Sequence, residues 1–577
     1  MPWQITLPYS IRPWCFPFRQ ARLTSAYSTG WPIPARCIQM TRGVALGLLL
    51  SAVASVFCWK RGEAAERPNI ILILADDLGY SDLGCYGSEI ATPNLDRLAQ
   101  RGLRFAQFYN NAKCGPSRAS LLTGLYPQQT RDGSDVSKSL NVAQVLQAAG
   151  YRTLMTGRNG GLAAAPTRVG FDRFYGLLDS GCCNYFNPGL KRPGENEPGR
   201  KYPGEKRAWA RDGKRFQPFT PNRKDFYATD AFTDQAIDYL DQYAKSEKPF
   251  FLYLPYTAPH FPIHARPEDI ARYRGKYLEG WDVIREHRYR RLVESGVIGK
   301  RWKLSPRDPE VPAWENLADE KREKWDLYMA VYAAMIDRMD QGIGKILGKV
   351  RELGVEENTL IMFLSDNGAC AEDDAAFNTT ARGIPPGSLE SYRTQGASWA
   401  NLSNVPFRKF KWWLHEGGIA SPLIVHWPRI IKRGGVVTDQ VGHIMDLMPT
   451  FLEVAGVEYP ASKQDRKLMP LEGMSLLPIL EGRERKGHEA LYWKFGQCRA
   501  VRKGKWKLVA PHPNPRLGID FFKENQLPGK EGRREIAWEL YDLEKDGTEL
   551  HNLAEEYPDR VRGMAGLFRA WVSRVAN

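Results

Sequence analysis

Three short apolar runs constrain this chain more than any other feature. Asn69 to Ala75, Phe250 to Leu254 and Thr359 to Leu364 each run into a polar cluster: Asp76-Asp77, Pro259-His260 and Asp366-Asn367. Runs of this length and character predict strands buried on both faces, as in a parallel sheet. Helical patterns lie between them, at Thr92 to Arg101, Asn141 to Ala149, Asp230 to Tyr243 and Leu327 to Leu353. The alternation predicts an α/β fold, a doubly wound, mostly parallel sheet with helices on both faces. Ligands of such sheets bind beyond the carboxyl ends of the strands, which is where all three polar clusters fall.

After Leu480 the rhythm changes. Leu491 to Phe495, Arg499 to Val501, Trp506 to Val509 and Trp538 to Asp542 read as a smaller antiparallel sheet, covered by a helix from Asp559 to Val575. The division expected is a leader over residues 1–66, an α/β domain over 67–480 and an α+β subdomain over 481–577. Two long polar segments, 184–225 and 371–407, interrupt the α/β part and are expected to overhang its pocket.

Composition narrows the class further. With 43% hydrophobic and 25% charged residues the chain is neither disordered nor fibrous. The net charge of +15 is spread along the chain and reads as a solvated surface, so no nucleic-acid partner is expected. Nine cysteines without Cys-x-x-Cys spacing argue against a zinc site or a redox pair. Met40, Thr41 and Arg42 before the apolar run Gly43 to Trp59 look like an export signal starting at Met40, with Gly62 and Ala64 near a cleavage point. Export to the periplasm or beyond is the expectation, with a membrane anchor as the alternative. No other apolar run approaches the ~18 residues of a spanning helix.

Asp76 and Asp77 are adjacent charges with no cation beside them in sequence, and they repel unless something positive is held there. Asp366 and Asn367 supply hard oxygens at another strand end, and an all-oxygen set suits Ca²⁺, or less well Mg²⁺, rather than zinc. Cys114-Gly115-Pro116-Ser117-Arg118 opens a helix running toward Leu122, with Pro116 in its first turn. Cys114 then lies where backbone N–H groups favour anions, and Arg118 adds a planar fork for an oxyanion.

The stretch from Cys114 to Gly124, Cys-x-Pro-Ser-Arg followed by Leu122-Thr123-Gly124, resembles the sulfatase family of the alkaline-phosphatase-like superfamily, and the match extends from about Arg67 to the carboxyl terminus. The resemblance implies that a maturation enzyme converts Cys114 to formylglycine. It implies a Ca²⁺ held by Asp76, Asp77, Asp366, Asn367 and the modified Cys114. It also implies catalytic roles for Arg118, for His260 as sulfate contact and leaving-group acid, and for Lys411, which precedes Glu416-Gly417-Gly418. The activity implied is a sulfuric ester hydrolase acting on a sulfated carbohydrate or aryl sulfate. A phosphodiesterase or phosphonate monoester hydrolase is the enzymatic alternative, and a catalytically impaired glycan-binding protein the non-enzymatic one.

Two positions depart from the family pattern. Where relatives carry Gly-Lys-Trp-His, this chain reads Gly157-Arg158-Asn159-Gly160, so Arg158 keeps the charge and no histidine follows. Gln128 stands after Pro127 where relatives often have histidine. His264, His415 or a residue of the overhanging segments is a candidate for the missing imidazole's place.

Overall fold

The computed structural model describes residues 67–179, 181–373, 383–511 and 537–575. The leader and the apolar run Gly43 to Trp59 lie outside the described residues, and among those described no helix is long and apolar enough to cross a membrane. Residues 66–577 form one compact unit.

Five strands build the centre of a ten-stranded sheet: β1 (Asn69–Asp76), β2 (Arg152–Arg158), β3 (Arg173–Leu177), β4 (Phe250–Pro259) and β5 (Thr359–Ser365). Their order is β5-β1-β4-β2-β3 and all four pairings are parallel. On either side the centre is flanked by an antiparallel strand, Leu423–His426 beside β5 and Trp209–Arg211 beside β3, and further short strands complete the edges.

Strand β1 shows why the central runs are apolar throughout. Ile71, Ile73 and Ala75 face one core and Ile70, Leu72 and Leu74 the other, because successive side chains alternate across the sheet. One face is covered by the long helix Asp319–Glu352 and by Ala228–Tyr243. The other is covered by Cys114–Thr123, Val142–Ala148 and Leu447–Val454. The helical expectations therefore hold, and the long helix begins eight residues earlier than its apolar pattern: its first turns are charged and mostly exposed, so they carry little hydrophobic signal.

The carboxyl-terminal sheet is as expected: Leu491–Phe495, Cys498–Lys503, Trp506–Ala510 and Glu539–Asp542 pair antiparallel in that order, and Pro558–Val575 packs over them. Aromatic side chains join it to the larger sheet. Trp493 Nε1 donates to the Asn110 carbonyl oxygen at 2.8 Å, and Trp571 stacks on Tyr492 and meets Tyr126 edge-on.

Candidate active site

Parallel register assembles the site. Asp76 is opposite Pro259 on one neighbour, and Ala75 is opposite Ser365 on the other, so His260 and Asp366 flank the aspartate pair from either side. Asp77 has φ 67, a left-handed conformation uncommon outside glycine, and its carbonyl oxygen accepts from Tyr332 of the long helix. Arg158 ends β2, one strand further out.

Cys114 opens the helix Cys114–Thr123, and its predicted place at the amino terminus is therefore observed. Only 9% of its surface is exposed. Arg158 Nη2 donates to its Sγ at 3.4 Å. Burial raises the thiol pKa, and Lys411 and Lys113 only partly offset this.

The charges interlock. Arg118 Nε donates to Asp366 Oδ2 at 2.8 Å, and its Nη2 forms ion pairs with the same oxygen at 2.8 Å and with Asp76 Oδ2 at 3.0 Å. Arg158 Nη1 pairs with the same Asp76 oxygen. Lys411 Nζ is 2.7 and 2.8 Å from the two oxygens of Asp77. Three buried cations thus meet three buried aspartates. The repulsion expected between Asp76 and Asp77 is relieved here by residues distant in sequence, which no local reading of that dipeptide reveals.

His260 lies between these groups. Its Nδ1–H donates to the Phe261 carbonyl oxygen at 2.6 Å, which sets the tautomer, and Nε2 is 3.4 Å from both Lys411 Nζ and Asp77 Oδ2. Burial, then Lys411 and Arg158, hold the imidazole well below its usual pKa, so it is neutral. Lys411 stays protonated: burial opposes its charge, and the Asp77 carboxylate outweighs that.

A metal would find suitable donors. Asp76 Oδ1 and Asn367 Oδ1 are buried oxygens without a hydrogen-bond partner, while the Asn367 amide donates to Asp77 at 2.6 Å. Such orphaned hard oxygens beside carboxylates fit Ca²⁺ or Mg²⁺. Ligand atoms of Asp76, Asp77 and His260 lie within 4.8 Å of one another. Asp366 is next to them, with Oδ1 accepting from the Asp77 N–H.

All these groups except the aspartates and Asn367 line a cavity of about 890 Å³. Its wall carries eight basic side chains, Lys113, Arg118, Arg131, Arg158, Lys201, Arg207, Lys411 and Lys494, against two acidic ones, Asp132 and Glu372. The cavity is therefore built for an anion.

The sulfatase family model matches residues 68–457. The chain belongs to the sulfatase family. A second model, for the carboxyl-terminal part of N-sulphoglucosamine sulphohydrolase, matches residues 407–562. An uncharacterised sulfatase of Schizosaccharomyces pombe is 32% identical, over 87% of this chain and 92% of its own. The arylsulfatase of Klebsiella aerogenes is also 32% identical, over 72% of this chain and 92% of its own. A crystal structure of Ps i-CgsB in complex with k-i-k-neocarrahexaose shares the fold at TM-score 0.59 and 24% identity, covering 88% of this chain and 92% of that one. This chain is accordingly a sulfuric ester hydrolase.

The geometry explains the departure at Gly157-Arg158-Asn159-Gly160. Arg158 occupies the cationic place facing Asp76 and Cys114. No histidine fits after it: a Cβ at Gly160 would meet Arg118 Cδ at 2.9 Å, and one at Gly161 would meet the Arg118 carbonyl carbon at 2.6 Å. His264 and His415 are not replacements. His264 Nε2–H donates to Ser391 O, Nδ1 accepts from the Tyr185 N–H, and His415 Nε2 pairs with Glu539; neither lines the cavity. Both overhanging segments reach it, through Lys201, Arg207 and Glu372. Gln128, singled out in the sequence as a departure from the family pattern, lines the cavity. Sequence reasoning missed the following Arg131 to Ser134 and the end of the strand Leu491–Phe495 with Gly496 as cavity walls, because nothing local marks them.

Proposed function

We propose that this sulfatase cleaves sulfate from a sulfated carbohydrate, using formylglycine made from Cys114 by a maturation enzyme, with Ca²⁺ held by Asp76, Asp77, Asp366, Asn367 and the modified residue. The observation that carries this reading is the meeting of Cys114, three aspartates and three cations at the floor of one basic cavity. When present, the ion polarises a sulfate oxygen and the hydrated aldehyde supplies a nucleophile with a second hydroxyl for release.

The protein's own groups do the rest. Arg158 is directed at the position-114 side chain and orients whatever oxygen or sulfur it bears. Lys411 and His260, 3.4 Å apart, bind sulfate oxygens and hold between them the proton that the leaving alkoxide takes up. Arg118 is fully buried and doubly paired, so its part is to fix Asp366 and Asp76 in place rather than to reach the substrate freely. The narrow exposure of Cys114 keeps bulk water from the reacting atoms.

The residues before 67 act in this reading as an export leader, and the boundary between the catalytic and carboxyl-terminal parts falls near Leu480. Mass analysis of the peptide bearing residue 114, after expression beside a maturation enzyme, tests the nucleophile: an aldehyde is expected, and a persistent thiol under competent conditions would defeat the proposal. Parallel turnover of 4-nitrophenyl sulfate and an aryl phosphodiester tests the reaction class, with the sulfate expected to be the better substrate.

A further inference from the structure

The floor of the cavity is charge-balanced, with Arg118, Arg158 and Lys411 paired against Asp76, Asp77 and Asp366. The mouth is not. Arg131 and Lys494 line it, both exposed, and among the described residues neither head group donates a hydrogen bond or enters an ion pair. Their backbones are nevertheless firmly placed. Arg131 and Asp132 have φ 44 and 56, two consecutive non-glycine residues in the left-handed region, a strained conformation that persists only where surrounding structure holds it. Lys494 stands in the strand Leu491–Phe495, paired with Arg499 just before the carboxyl-terminal hairpin turns, and Gln128 Nε2 ties this strand to the Pro127–Ser134 loop by donating to the Lys494 carbonyl oxygen at 2.8 Å. The Gln128 amide oxygen is buried, unpartnered and part of the same lining. Beside them Trp412 and Phe495 meet with ring centroids 5.3 Å apart and form an aromatic wall.

None of this serves a single sulfate at Cys114, which the floor already accommodates. We propose that the mouth of the cavity, between Arg131 and Lys494, is a subsite for a second anionic group, a sulfate or carboxylate, carried by the same substrate molecule, with the connecting sugar ring lying against the half-buried Phe495. The preferred substrate is then a multiply charged saccharide, and small aryl sulfates with a single charge fill only the inner end. Two flanking cations supply charge-assisted contacts to an oxyanion, and the ring faces supply apolar area without a charge requirement. This rests on the sulfatase reading above, and the test separates the two.

The full chain carrying Cys114→Ala is titrated calorimetrically with per-O-sulfated maltotriose and with maltotriose monosulfate, alongside the same protein with Arg131→Ala and Lys494→Ala added. The double substitution is expected to weaken the polysulfated probe about tenfold more than the monosulfated one, the size of one charge-assisted contact. Arg131→Lys with Lys494→Arg should restore most of the difference, and the salt dependence of binding should shallow in the alanine form. Equal weakening of both probes, or none of either, overturns the subsite. Turnover of 4-nitrophenyl sulfate by the mature wild-type protein reports on the hydrolase reading alone: absence of turnover would remove that reading while the binding difference still decides the subsite.

Discussion

Asp366 shows how much one side chain holds at the floor of the cavity. It binds Arg118 through two nitrogens and caps the Asp77 N–H, all out of contact with water. Asp366→Ala leaves the Arg118 guanidinium with one partner in a dry site, an arrangement expected to cost about 3–5 kcal/mol. The same change should remove Ca²⁺ binding and activity together, measured by calorimetry and chemical denaturation; retained Ca²⁺ affinity would show that the ion's donors are elsewhere. Gly161 is a second position with no freedom. At φ 74, with Arg118 and Ala119 backbone within 2.7 Å of any Cβ, Gly161→Ala should destabilise by about 2 kcal/mol or more in urea. For the same steric reason Gly160→His should not raise turnover. The aspartate pair, Cys114 and His260 were legible from the sequence as chemistry-bearing residues at strand and helix ends, and Lys411 only through the family resemblance. Their salt-bridge partners were not, because pairing between Arg158 and Asp76, 82 residues apart, is set by strand order and not by local pattern.

At the scale of elements, the carboxyl-terminal sheet is bound to the active-site loop by buried charge. Lys507 Nζ bridges Glu416 and Glu549 at 2.7 and 2.8 Å, and Glu416 also accepts from Tyr109, five residues before Cys114. Glu416 follows Lys411 by five residues and opens the tight Glu416–Ile419 turn of helix. Lys507→Met would leave two carboxylates facing each other without a counter-charge. The expected loss is about 3–5 kcal/mol, read from thermal unfolding, with the double change Lys507→Met and Glu549→Gln less damaged than the single one. If Lys507→Met unfolds like the wild type, the bridge contributes nothing to holding the loop. The strands of this sheet were readable from alternating apolar residues, whereas its role as a cavity wall depends on the end of the strand Leu491–Phe495 and Gly496 reaching across to the Pro127–Ser134 loop.

Across the whole molecule, buried titratable groups predict how stability follows pH. Burial lowers His264 to about 4, since a second proton would have to enter against the Tyr185 N–H at Nδ1. Its folded state binds fewer protons than the unfolded chain, so its contribution is whole above about 6.5 and is lost as pH falls through about 4. For Asp446, burial opposes the charged form, but His488 and Arg485 outweigh it and hold the carboxyl at about 2. That contribution is whole above about 3.9, amounts to roughly 2–3 kcal/mol, and is lost as pH falls through about 2. Urea unfolding from pH 7 to 2 should therefore show an acid decline in two stages, the upper one removed by His264→Asn; a flat profile down to pH 4 would contradict the His264 account. The residue order alone specified strands, helices, the Cys114 motif and thereby the family, because burial period and local backbone chemistry are carried by neighbours in the chain. Which cations meet which aspartates, why no histidine follows Arg158, and what surrounds the cavity mouth were decided by packing, since those contacts join segments up to 366 residues apart whose proximity exists only after the sheets have formed.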